Sequence, residues 1–231
     1  MNFQEFRKTF HRKLFDSYRV TIDLVDIAGG TPADPKMLEG WINATNKEKS
    51  AEDRAALVEA TADELPVIAG EQEAKSWVRF KRDDRGPYIE GRCIKAALKE
   101  CANIVKSAVK SRGKNGEEAG TKNLKSKMAE CVFVAEEKIY ITDKGGNPIS
   151  GDVPTEERPA HVMTAQGPRT SIKRTDVLRD VRIQFTARLA KTGAVSEAAL
   201  FAALSYLEIN GIGADRSQGR GRASAIDVVQ M

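Results

Sequence analysis

The segment Gly211-Ile-Gly-Ala-Asp-Arg-Ser-Gln-Gly-Arg-Gly-Arg222 sets four glycines and three arginines within twelve residues. Glycines admit positive φ and close backbone approach, and the N–H groups turned outward in such a segment can cradle an anion. Arg216, Arg220 and Arg222 add fixed positive charge, so the chemistry expected of Gly211, Gly213, Arg216, Ser217, Gln218, Gly219, Arg220, Gly221 and Arg222 is phosphate binding. The segment has no GK[ST] and is therefore not a Walker loop. It is not a dinucleotide fingerprint either, because Arg216 stands where GxGxxG needs glycine. A second basic cluster holds Arg169, Lys173, Arg174, Arg179, Arg182 and Arg188 against Asp176 and Asp180. Such clusters are the electrostatic footprint of a polyanion. The alternative for the basic clusters is an ordinary solvated face, and for the glycine-rich segment a connection that simply turns tightly beside a packed helix.

The whole chain is 231 residues with 37 Lys plus Arg and 33 Asp plus Glu, a net charge of 37 − 33 = +4. Its 41% hydrophobic and 30% charged residues are globular values, and its length suits one large domain. No apolar run reaches the roughly 18 residues of a membrane span, and the first twenty residues lack a signal-peptide core. Three cysteines, Cys93, Cys101 and Cys131, form no CxxC pair. Cys93 and Cys101 fall about 12 Å apart along a helix, too far for a disulfide. The expectation is a reduced, cytoplasmic protein with no zinc site.

The elements that position the basic segments follow from hydrophobic period. Phe3, Phe6, Phe10 and Leu14 recur at helical spacing over 3–15, and Val20, Ile22 and Leu24 alternate as a strand over 18–25. A loop of small residues, Ile27-Ala-Gly-Gly30, follows. Residues 36–78 read as an insertion whose acidic helix is capped by Ser50 with Asp53. Trp77–Phe80 reads as a short strand. Ile94, Ala97, Leu98, Cys101, Val105 and Ala108 predict a helix over 92–110, and 111–123 a solvated loop. Strands are expected at 131–134, 138–141, 181–189 and 224–230, and Ser196 caps a helix that Gly211 stops. Residues 150–180 show no period and contain Pro154, Pro159 and Pro168, so they read as an irregular arm. Without the insertion the order is strand, helix, strand, strand, helix, strand. That is an α+β class, with a ferredoxin-like or RRM-like βαββαβ core.

These motifs resemble the RAMP superfamily (repeat-associated mysterious proteins) of CRISPR systems. The glycine-rich segment lies where that family has its C-terminal glycine-rich loop. Arg85-Gly-Pro-Tyr-Ile-Glu-Gly-Arg-Cys-Ile-Lys-Ala-Ala-Leu-Lys99 is similar to its strand-to-helix signature, G-x-PYIPGSSLKG, with Glu90 for proline, Arg92-Cys93 for the serine pair and Ala96 for glycine. Ile27–Gly30 matches its small-residue loop after the first strand. The resemblance implies one RAMP-like domain over 1–231, with the insertion at 36–78 and a thumb-like arm at 143–180. It is strongest to backbone subunits, which coat a guide RNA, oligomerise along it and assemble with other effector subunits. By the same resemblance, Gly91, Arg92 and Lys95 would hold phosphates at a helix N-terminus, and Arg169, Lys173 and Arg174 would lie on the arm. Only 6% of residues are aromatic. Stacking is therefore expected to be minor beside charge; Phe133 and Tyr140 are its candidates, with core packing favoured for Phe133.

The resemblance also implies two catalytic alternatives. Metal-dependent cleavage would use an aspartate after the first strand, with Asp34 first and Asp26 second; no cofactor is otherwise required. Guide-processing endoribonucleases of the family want a histidine, and His11 and His161 are the candidates. A stand-alone single-stranded nucleic-acid-binding protein is a third reading.

Overall fold

The computed structural model describes residues 2–65, 77–112, 118–120, 122–164 and 167–231. Helix α1 (Phe3–Leu14) runs directly into β1 (Phe15–Ala28). After β2 (Thr31–Pro32) come α2 (Pro35–Thr45) and α3 (Ala51–Asp63). Strands β3 (Trp77–Arg79), β4 (Lys81–Asp83) and β5 (Gly86–Glu90) lead into α4 (Gly91–Val105). A ribbon of β6 (Lys110–Arg112) and β7 (Glu118–Gly120) precedes α5 (Leu124–Cys131), β8 (Val132–Val134) and β9 (Lys138–Asp143). Then β10 (Thr155–Thr164) and β11 (Gly167–Ala190) are followed by α6 (Glu197–Ser205), α7 (Leu207–Asn210) and β12 (Ala223–Gln230).

The class is α+β. The main path through the large sheet is β12-β1-β11-β9-β5-β4, antiparallel at every step, with β3 joining β11 in parallel off that path. Strand β1 is central because Tyr18, Val20, Ile22 and Leu24 are all buried on one face, while Arg19 and Val25 stay exposed on the other. Burying each such side chain contributes about 1.5–3 kcal/mol. The register sets Val20 opposite Phe185 and Ile22 opposite Ile183. Helix α4 buries Ile94, Ala97, Leu98, Cys101 and Ala102 in the same core, and α6 adds Ala199, Leu200, Ala203 and Leu204.

Three expectations need correction. Helix α4 stops at Val105 rather than 110, because Lys110–Arg112 leaves to pair with Glu118–Gly120. The strand expected at 181–189 is the second half of a 24-residue strand, β11. Its first half makes the arm, which is a β-hairpin rather than an irregular loop, with Thr155 opposite Asp176 and Thr164 opposite Gly167. Arm side chains such as Glu157, Arg158 and Ile172 are exposed, so no apolar alternation marks these strands. Pro159 is tolerated because β10 is an edge strand, paired only with β11. Asp180, at φ +52°, sits where arm and sheet halves of β11 meet.

The base of the arm is anchored by Asp176, 1% exposed. Its carboxylate accepts from Trp77 Nε1 at 2.8 Å, Arg79 Nε at 3.1 Å and Thr155 Oγ1 at 3.1 Å. All three cysteines are free thiols, and burial pushes that of Cys101 up to about 12. Among the described residues no helix is long and apolar enough to cross a membrane.

Candidate nucleic-acid interface

The glycine-rich turn joins α7 to β12 and folds back on itself. Gly211 and Gly221 both have φ +74°. A Cβ on Gly221 would overlap the carbonyl oxygen of Ile212, and one on Gly211 that of Arg220. Only glycine lets the two legs cross this closely, and the Ile212 amide donates to Gly221 O at 2.9 Å. The turn is stitched to the far end of β1. The Ala214 amide reaches Ala28 O at 3.3 Å, the Gly221 amide donates to Asp26 Oδ1 at 2.9 Å, and the Val25 amide donates to Arg222 O at 3.0 Å.

Two of its three guanidiniums are taken up within the chain, contrary to the expectation that they meet phosphate. Arg220, 8% exposed, donates to Asp26 Oδ2 at 2.6 Å and to Glu156. Arg216 makes two bonds to Glu100 on α4, at 2.5 and 3.3 Å, and holds that carboxyl below the usual range. On the arm, Lys173 donates to both oxygens of Asp215, at 2.6 and 2.9 Å, and Arg174 to Glu157 at 2.8 Å. Apart from Asp215, which lies in the turn, the carboxylates come from β1, α4 and β10, outside both basic segments, which is why the local charge count did not foresee them. The amides of Gln218 and Gly219 also bond inside the turn, to Asp215 O and Arg216 O, both at 2.9 Å. The expected anion nest is thus largely closed on itself. What faces outward is Arg222, Ser217 and Gln218, with the Gln218 side chain accepting from Arg158 Nη1 of the arm at 3.1 Å. Between arm and turn lies a cavity of about 370 Å³ lined by Glu156, Arg158, Lys173, Gln218 and Arg220.

The N-terminus of α4 is also occupied. The Gly91 amide donates to Glu137 O at 2.8 Å, and a Cβ there would overlap the Glu136 carbonyl oxygen. Glu90, where the resemblance has proline, holds Arg92 at 2.5 Å and Lys81 at 3.3 Å. Its carboxylate makes no capping bond to the amides that open α4. Lys95 Nζ lies 4.6 Å from the centroid of the Phe133 ring. Phe133 is 38% exposed, not core, and meets Phe15 edge-on at 5.8 Å. Tyr140 offers no open ring face on the side where Arg85 stacks at 4.1 Å, and its hydroxyl donates to Asp83 at 2.8 Å.

Asp34, the first catalytic candidate, is 8% exposed and caps α2 by accepting the Lys36 amide at 2.9 Å. Asp26 is engaged by Arg220. Among the described residues no group of three or more His, Cys, Asp or Glu side chains is arranged to hold a metal. His11 lies at the opposite end of β1 from the turn, its ring 6.0 Å from Phe15. His161 and Arg169 fall on the arm strands, opposite Thr170 and Val162, and their side chains lie outside the described residues. The carboxylates that sequence reasoning missed as partners of the turn are Glu100 and Glu156; no local spacing marks either.

No protein-family model and no curated protein matches the chain. Among solved structures it is similar to a chain of the Type III-B Cmr-beta complex bound to cognate target RNA, at TM-score 0.44 and 14% identity. That match covers 99% of this chain, which spans 65% of the other's length. It is also similar to a chain of a Type IV-B CRISPR complex, at TM-score 0.43 and 14% identity over 93% of this chain and 90% of that one.

Proposed function

We propose that this chain is a single-stranded RNA-binding subunit of a CRISPR-type effector ribonucleoprotein. It grips the sugar–phosphate strand without reading bases and oligomerises along it beside other subunits. Its core is ferredoxin-like: β1, α4, β9, β11, α6 and β12 supply the βαββαβ order, with β12-β1-β11-β9 adjacent in the sheet. One observation carries this reading. Two of the segments that separately resemble the RAMP superfamily meet in space, Gly30 lying against Ala214 and Ala214 bonding Ala28, and Arg216 of the turn bonds Glu100, the residue that follows the third segment on α4. The arm hairpin adjoins them through Arg158 and Gln218.

The contacts assigned to RNA shift accordingly. Arg222, Ser217 and Gln218 at the tip, with Arg158 on the arm, face the strand, while Arg216 and Arg220 hold the turn in shape and Lys173 and Arg174 are engaged by Asp215 and Glu157. Charge-dominated contacts of this kind weaken steeply with salt and tolerate any sequence. Filter binding of oligouridylate and oligoadenylate across a salt series tests it. Comparable affinities are expected for both, and Arg222→Ala should reduce the salt slope by about 1. No binding to either oligomer, or binding that salt does not weaken, would overturn it.

A further inference from the structure

At the other end of β1, about 33 Å from the turn at ~3.3 Å per residue between Ser17 and Ile27, lies a second cavity of about 370 Å³. It is walled by His11 and Arg12 from α1, Phe15 and Asp16 from the start of β1, Arg188 from β11, and Lys191. Its charge balance differs from that of the turn. Asp16 is its one side-chain carboxylate, and Lys191 already holds it at 2.9 Å. Lys191 Nζ also donates to Arg12 O at 3.2 Å, in the last turn of α1. Arg12 and Arg188 have no carboxylate partner among the described residues, unlike Arg216 and Arg220. Ser17 stands directly opposite Arg188 in the register, and Phe133 is paired with Arg188 on its other side. Met231, whose amide donates to Ser17 O at 2.9 Å, also lines the cavity, and the site holds two guanidiniums without a side-chain carboxylate partner among the described residues beside the Phe15 ring.

We infer that this cavity binds a nucleotide, its phosphate held by Arg188 and Arg12 and its base lodged against Phe15 beside His11. Guanidinium suits this ligand because its planar fork matches phosphate geometry. A ring accepts any base, since every base has a π-face. Ser17 supplies a hydroxyl at the mouth for the ribose or a phosphate oxygen. The assignment goes beyond the proposed function, since neither its residues nor its position belong to the turn or arm. The same chemistry is offered by a free mononucleotide and by one unit of a strand lying on the open face of the sheet.

The test uses the full chain, observing the His11 imidazole signals by NMR, assigned with His11→Gln. Uridine 5′-monophosphate, uridine, inorganic phosphate and oligouridylate are titrated separately. Uridine 5′-monophosphate should shift His11 at lower concentration than uridine or phosphate alone. Arg188→Gln should weaken it about tenfold, the loss expected of one charge-assisted contact. Arg12→Ala, on the exposed end of α1, gives the same reading should the strand variant fold poorly. Shifts with the mononucleotide but not the oligomer identify a free nucleotide as ligand; shifts with the oligomer identify the strand. No shift with either, equal binding of bare phosphate, or full affinity in both variants would overturn the assignment. The reporter lies at the far end of β1, so failure of RNA binding at the turn is read separately.

Discussion

The Arg220 guanidinium bonds the Asp26 carboxylate at 2.6 Å, with the two side chains only 9% and 16% exposed. Asp26 accepts at the same time from the Gly221 amide at 2.9 Å, so one carboxylate fixes both backbone and side chain of the glycine-rich turn against β1. Removing one partner of a buried pair leaves the other charge uncompensated, which costs far more than the pair contributes. Arg220→Ala is expected to lower stability by about 3 kcal/mol. A urea melt should show a lower midpoint at unchanged slope; a change under about 0.5 kcal/mol, the level of an ordinary surface substitution, would mean the pair is slack.

Glu156 is shared by Arg158, Arg179 and Arg220. Glu156→Gln keeps the shape and removes the negative charge that competes with phosphate for the exposed guanidiniums of Arg158 and Arg179. RNA affinity should rise severalfold at low salt, with the gain shrinking as salt is added. Weaker binding in a folded Glu156→Gln protein would show instead that the carboxylate organises the surface.

Glycines in this chain differ sharply in what they do. Gly221→Ala puts a methyl into the Ile212 carbonyl at φ +74°, and should destabilise by several kcal/mol or abolish folding. Gly40 lies inside α2, where an added Cβ meets nothing within 4 Å. Gly40→Ala should therefore stabilise by up to about 1 kcal/mol, because alanine is the better helix former. Thermal melts of the two variants should move in opposite directions.

Stability should fall in acid. The bond from Arg182 holds the Asp23 carboxyl below its ordinary range, and the bond from Arg216 does the same for Glu100. A carboxyl lowered in the folded state contributes stability above its unfolded pKa, and that contribution is lost as pH falls through the folded value. Melting temperature should hold level from neutral pH to about pH 5 and drop below about pH 4, where free Asp and Glu titrate. Glu100→Gln should reduce the drop; an identical acid limb would show that the Arg216 bond does not feed into stability.

The strongly periodic elements could be read directly. Ile94, Ala97, Leu98 and Cys101 mark α4; the alternation of Val20, Ile22 and Leu24 marks β1; Ser196 accepts the Ala199 amide at 3.2 Å as its capping role requires. Each of these buries a regular apolar face, so local spacing carries the signal. The arm was expected, but its hairpin form was missed because a two-stranded ribbon with exposed side chains leaves no such pattern. Phe133 looked like core because an aromatic between two valines usually is. Here its register opposite Arg188 turns it to the open side of the sheet.

By itself the amino-acid order determined where the backbone must be glycine, which faces are apolar and how many cations crowd two short segments. Which of those cations can still meet a partner was decided only in three dimensions. Asp26, Glu100 and Glu156 lie 194, 116 and 64 residues from the arginines they bind, and the sheet and α4 bring them together. Sequence proximity governs hydrogen bonds within an element, whereas charge neutralisation depends on distance through space, which only the folded chain defines.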